Sequence, residues 1–149
     1  MTAQSVSDFF LVFCMNAATT SDSRLDVEGI YNELYAPGFP AKQDALVMAG
    51  AIEWHRETKG AQKFTIHLVD PGDKPIFTIE GQTEVEARSE GRAPAKTHLI
   101  FPLENLVFVK PGRYRVVVAL KDGELQGPSL YLLHSATEDE HLKFGSDNK

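Results

Sequence analysis

Apolar and polar side chains exchange places at every second residue through most of this chain, and no stretch sustains the three-to-four-residue apolar spacing of a helix. A period of two sends alternate side chains to opposite faces of a strand, so the chain must bury sheets. The clearest runs are Phe64, Ile66 and Leu68, set against Thr65 and His67, and the series Tyr114, Val116, Val118 and Leu120. Between such runs stand Pro37-Gly38-Phe39-Pro40, Lys59-Gly60, Pro71-Gly72-Asp73 and Pro111-Gly112. These are turn sequences because Pro presets φ and Gly accepts positive φ.

Strands are therefore expected at 9–18, 25–35, 45–55, 63–70, 75–85, 97–101, 114–120 and 124–134. Asp122-Gly123 suits a two-residue hairpin turn joining the last two. Gly29 falls where the parity of Leu25 and Val27 gives way to that of Ile30 and Leu34, which predicts a bulge there, with a second near Gly81. This pattern predicts an all-β fold, an antiparallel two-sheet β-sandwich of about eight strands. A closed barrel is the second choice. Shared parity nominates Leu11, Phe13, Ile30, Ile52, Trp54, Ile66, Leu68, Tyr114, Val116 and Val118 as core.

At 149 residues the chain is the size of one domain. Such a globule buries about 68–70% of the surface its unfolded chain exposes, enough for a core without a metal or disulfide staple. The expected organisation is a flexible N-terminus at 1–7, the sandwich at 8–135 and a polar tail at 136–149.

One stretch admits three readings. "FFLVFCMNAA", residues 9–18, could be an export signal, a reactive-cysteine site or a buried strand. No Lys or Arg precedes Arg24, Asp8 borders the run, and ten residues fall short of the roughly 20 that span a bilayer as helix. Among Phe13 and Met15 a thiol at Cys14 would have its pKa raised, which disfavours a nucleophile. A strand that ends in Thr19-Thr20-Ser21-Asp22-Ser23 is the better reading. Its apolar residues occupy both faces, so something must cover each.

The formal charge of −6 leaves no basic face for nucleic acid. Arg88, Arg92 and Lys96 are interleaved with Glu84, Glu86 and Glu90, the pattern of a solvated loop. One cysteine cannot form an intrachain bridge, which fits a reducing, cytoplasmic setting. His55, His67, His98, His134 and His141 form no close ligand pair, and Asp22, Asp26, Asp70, Asp73 and Asp122 are too scattered for a calcium loop. No nucleophile elbow or phosphate loop occurs. Trp54 shares parity with Ile52 and Met48, so it reads as core rather than as a sugar-stacking platform.

The opening "FFLVFCMNAATTSDSRLDVEGIYNELYAPGFP" and the closing "PGRYRVVVALKDGELQG" resemble an uncharacterised bacterial family of single-domain sandwich proteins. The shared features fall at Phe13, Cys14, Leu25, Gly29, Ile30, Phe39, Pro40, Pro111, Gly112, Tyr114, Asp122 and Gly123, while Asn16 stands near the place of the family's acidic residue. The resemblance implies an immunoglobulin-like fold and supplies no catalytic residues.

The functional expectation is a non-catalytic protein-binding or assembly module in the cytoplasm, with no cofactor, no metal, no nucleic acid and no membrane. A small-ligand or carbohydrate-binding domain is the alternative, and an enzyme with a site assembled across strands ranks last. The candidate interface is Phe10, Val12, Val47 and Ala49, whose strands carry apolar residues on both faces. Two covers would satisfy such a face: a symmetric homodimer, or the 37–44 connection together with the C-terminal tail.

Overall fold

The computed structural model describes residues 4–135, and the expected tail at 136–149 lies outside them. Among the described residues nine strands form in the order β1 (Val6–Thr19), β2 (Leu25–Tyr31), β3 (Glu33–Ala36), β4 (Ala41–Trp54), β5 (Gly60–Val69), β6 (Pro75–Val85), β7 (Lys96–Phe108), β8 (Gly112–Leu120) and β9 (Gly123–His134). They make a four-stranded sheet, β2-β1-β4-β7, and a five-stranded sheet, β3-β9-β8-β5-β6. One continuous core joins the two. Phe13, Met48, Ile52, Trp54 and Leu99 come from the first sheet, and Ile66, Leu68, Tyr114, Val116, Val118 and Leu130 from the second. The all-β, two-sheet expectation is correct.

Nine of the ten nominated core residues are buried. Ile30 is the exception, at 58% exposure. Gly29 does take a left-handed backbone (φ 68°), yet no residue is inserted there. Pairing runs in constant register from Phe13↔Tyr31 through Cys14↔Ile30 to Thr19↔Leu25. Ile30 therefore keeps its parity and lies on the outer face, opposite Cys14. Gly29 serves another purpose, since a Cβ there would sit 2.5 Å from the Met15 sulfur.

Gly81 is not a bulge either. It pairs in register with Phe64, whose ring lies over it, 2.4 Å from where a Cβ would stand. The register shifts fall instead at Val6/Asp8, Leu68/Val69 and Arg115/Val117. The expected strand at 25–35 splits at Asn32 into β2 and β3, which belong to different sheets. β3 pairs with β9 in parallel, so the second sheet is mixed rather than purely antiparallel. β4 begins directly after a cis Phe39-Pro40 bond, earlier than position 45. β7 continues through Pro102, because an edge strand tolerates a missing N–H.

In the last hairpin Leu120 pairs with Gly123, so the two loop residues are Lys121 and Asp122 and the positive φ falls on Gly123. Ser5, just before β1, is tied down as well. The Ser5 amide donates to the Asp122 carboxylate at 2.8 Å, and the Ser5 carbonyl accepts from the His55 amide at 2.9 Å.

The Pro-Gly-x-Tyr segment closes on itself. Tyr114, fully buried, donates its hydroxyl to the Lys110 carbonyl at 2.6 Å and meets the Phe108 ring edge-on at 5.0 Å. This is a tyrosine corner, a device that anchors the turn before a sandwich strand.

Candidate functional site

The four-stranded sheet answers the question of the doubly apolar strands. Val12, Ala49 and Ile100 stand in one row across β1, β4 and β7, and Cys14, Val47 and Pro102 stand in the next. Phe10 opens a third row with Ala51 and His98. None of these side chains belongs to the intersheet core. The four nominated interface residues are thus neighbours on one outer face.

That face is not bare. Cys14 and Ala49 have no exposed surface, and Ala51 has almost none. The Thr19 hydroxyl lies 3.1 Å from Nδ1 of His98 on β7, although β4 separates β1 from β7 in the sheet. β1 also contacts β7 directly. Past Cys14 the strand must bend back across the outer face to make these contacts, and the small residues disappear beneath it. Among the described residues the intrachain cover comes from the end of β1; the 37–44 connection joins β3 to β4 and places Phe39 6.5 Å from the His134 ring, and the C-terminal tail lies outside these residues. Of the four nominated residues only Phe10 stays well exposed, at 48%, while Ala49 offers no contact surface.

Two of the exposed large apolar side chains stand beside that bend, while Phe10, Val107, Val109 and Tyr131 are exposed outside the groove there. Met15 (62% exposed) and Ile30 line an open groove of about 350 Å³ together with Tyr31, Asn32, Glu33 and Tyr35. The glycine at position 29 lets the Met15 side chain cross onto β2. The change of sheet at Asn32 then brings β3 alongside. Tyr35 donates its hydroxyl to the Glu33 carboxylate at 3.1 Å. Parity analysis missed this site because it assigned Ile30 to the core and treated 25–35 as one strand. The available signal was the mixed composition of "EGIYNELY", with two tyrosines and an isoleucine among polar residues. A second hollow of about 320 Å³ lies where the 37–40 connection crosses from β3 to β4, floored by Leu34, Phe108 and Leu132.

Among the described residues, histidine and cysteine side chains stay apart. Among the described residues no three His, Cys, Asp or Glu side chains gather as a metal site. His67 pairs with the Thr78 hydroxyl at 2.9 Å, far along the chain from His98 and its Thr19 partner, and His141 lies outside the described residues. Burial pushes the Cys14 thiol pKa up. Trp54 is fully buried and donates its indole N–H to the Thr97 hydroxyl at 2.9 Å, so it offers no platform to a sugar. The Asp70 carboxylate accepts the Lys74 and Gly72 amides across the Pro71-Gly72-Asp73 turn, at 2.9 and 2.8 Å, which makes it a turn former. No helix among the described residues is long and apolar enough to cross a membrane.

Comparison with solved structures finds distant matches. The chain is similar to part of a Pseudomonas fluorescens alkylpurine DNA glycosylase, AlkC, bound to DNA containing an abasic site analog. Identity is 13%, the TM-score is 0.38, and the match covers 83% of this chain and 30% of that one. It is also similar to part of a Listeria innocua beta-glucosidase in complex with glucose, at 16% identity and a TM-score of 0.38, covering 85% of this chain and 16% of the enzyme. The chain thus spans less than a third of either protein. No curated protein matches it. A family profile does, over residues 10–132, and the chain belongs to that family, the family of unknown function DUF6941.

Proposed function

We propose that this protein is a non-catalytic protein-binding module whose contact surface is the groove between β2 and β3. The supporting observation is that Met15 and Ile30, both more than half exposed, line one open groove with Tyr31 and Tyr35. Large apolar side chains grouped at a surface mark association sites more often than chance exposure does. Methionine and tyrosine suit that role, the first because it adapts its shape and the second because it offers rigid area with a polar end. Placement in the bacterial cytoplasm is part of the same reading. It rests on the family resemblance of the strand and turn motifs and on a lone thiol that has no bridge to form.

Self-association is the simplest form such binding takes, and light scattering at micromolar concentration reads it directly. A mass near 16.5 kDa removes the homodimer, and twice that value identifies the partner as a second copy. For any other protein, a photocrosslinking side chain at position 31 is introduced into the full chain in its host. One discrete adduct, lost when Ile30→Glu is added, supports the groove. An adduct that survives Ile30→Glu, or none at all with no dimer formed, overturns the reading.

A further inference from the structure

The four sheet edges are protected very unequally. β2 is seven residues long and carries Gly29 in a left-handed conformation, β3 has four residues, and β7 is interrupted by Pro102 and by Asn105 at a φ of 56°. Such devices stop edge strands from recruiting other chains. β6 has none of them beyond its first residue. It runs for eleven residues with no proline after Pro75 and no residue at positive φ. Its ladder to β5 is regular from Leu68↔Phe77 to Gly60↔Val85, and Phe64 fills the gap over Gly81 that would otherwise weaken it. Among the described residues β6 pairs with β5 alone, and the N–H and C=O groups on its other side have no backbone partner there.

The side chains say what kind of strand fits there. Thr78, Glu80, Gln82 and Glu84 are exposed and alternate with Ile79, Gly81, Thr83 and the buried Val85. Neither Glu80 nor Glu84 has an ion-pair partner among the described residues, and Lys63, opposite Gln82 on β5, is bridged to neither. A second copy is a poor match. Two β6 strands paired antiparallel would bring their glutamates together on one face, and like charges across a ladder are destabilising. We propose that β6 is a strand-addition site for an extended segment of another protein, one that alternates Lys or Arg with β-branched residues. Main-chain hydrogen bonds would hold such a segment, and its cations opposite Glu80 and Glu84 would select it. This edge is at the far side of the sheet from β3, so its fate is independent of the groove.

The test uses two synthetic nine-residue peptides, one alternating Val with Lys and one alternating Val with Glu, titrated into the full chain. Amide hydrogen exchange and NMR shifts are followed along β6. The Val/Lys peptide should slow exchange between Phe77 and Glu84, and the Val/Glu peptide should not. The double variant Glu80→Lys, Glu84→Lys, altered only at exposed positions, should lose at least tenfold in affinity for the first peptide and gain affinity for the second. Four outcomes overturn the proposal. They are protection elsewhere but not on β6, equal binding of both peptides, a charge-reversed variant that binds like the original, and a β6-paired dimer of this chain.

Discussion

The Tyr114 hydroxyl lies 2.6 Å from the Lys110 carbonyl, four residues back along the same chain, and joins the buried start of the Tyr114–Val118 core row of β8 to the exposed turn before it. Burial pushes the Tyr114 pKa up, which favours the protonated, donating phenol. Tyr114→Phe keeps the ring contact with Phe108 and leaves the carbonyl without its donor. The expected loss is about 1–2 kcal/mol in urea denaturation, with an unchanged m-value. A loss near zero would mean that the turn is held without this bond.

Cys14 should be inert in the folded protein. It should react with DTNB only after denaturation, and Cys14→Ala should cost on the order of 1 kcal/mol, as for small truncations in packed sites. Rapid labelling of the native state would show that the end of β1 does not cover the outer face.

That cover makes a second prediction. Val12 and Val47 are half-buried beneath the returning strand, so Val12→Glu or Val47→Glu should destabilise by roughly 1–3 kcal/mol through burial of a charge. Thr19→Val should be milder and should speed amide exchange at Ala49 and Ala51. If Val12→Glu leaves the melting temperature unchanged, the face is open to solvent or to another chain.

Gly81→Val places a side chain into the Phe64 ring, which is itself nearly buried. Phe64 must then leave its position, and a cost of about 1–3 kcal/mol is expected, typical of overpacking. Phe64→Leu combined with Gly81→Val should recover part of the loss in the same thermal melt.

The turn at Asp70 supplies a pH signature. Amide donation from Lys74, with a further bond from Gly72, holds its carboxyl pKa below the ordinary carboxylate value. The folded-state pKa lies under the unfolded one, so the stabilisation is complete above the unfolded value of about 4 and fades as pH falls through the folded value. Asp70→Asn should therefore lower the melting temperature at pH 7 and converge with the wild type in acid. A gap that persists at pH 2 would assign the effect to something other than the charge.

Much of this fold is local. Alternation at 63–70 and 114–120 and the Pro-Gly turns around them specify strands, because side-chain parity and turn geometry depend on neighbouring residues only. Leu11, Phe13, Trp54 and Val116 could be assigned to the core on parity alone. What parity cannot carry is the identity of the partner strand. Nothing within "ELYA" says that it will lie parallel to β9, and nothing around Gly29 says whether a residue is inserted or only a dihedral angle changed. The first determines the change of sheet at Asn32, and the second determines the face on which Ile30 emerges. The groove of Met15, Ile30, Tyr31 and Tyr35 depends on both, so it exists only in the tertiary structure. The doubly apolar β1 likewise required a cover in advance. That the cover is its own far end, reaching His98 through Thr19, follows from a bend whose contacts lie 79 residues apart along the chain.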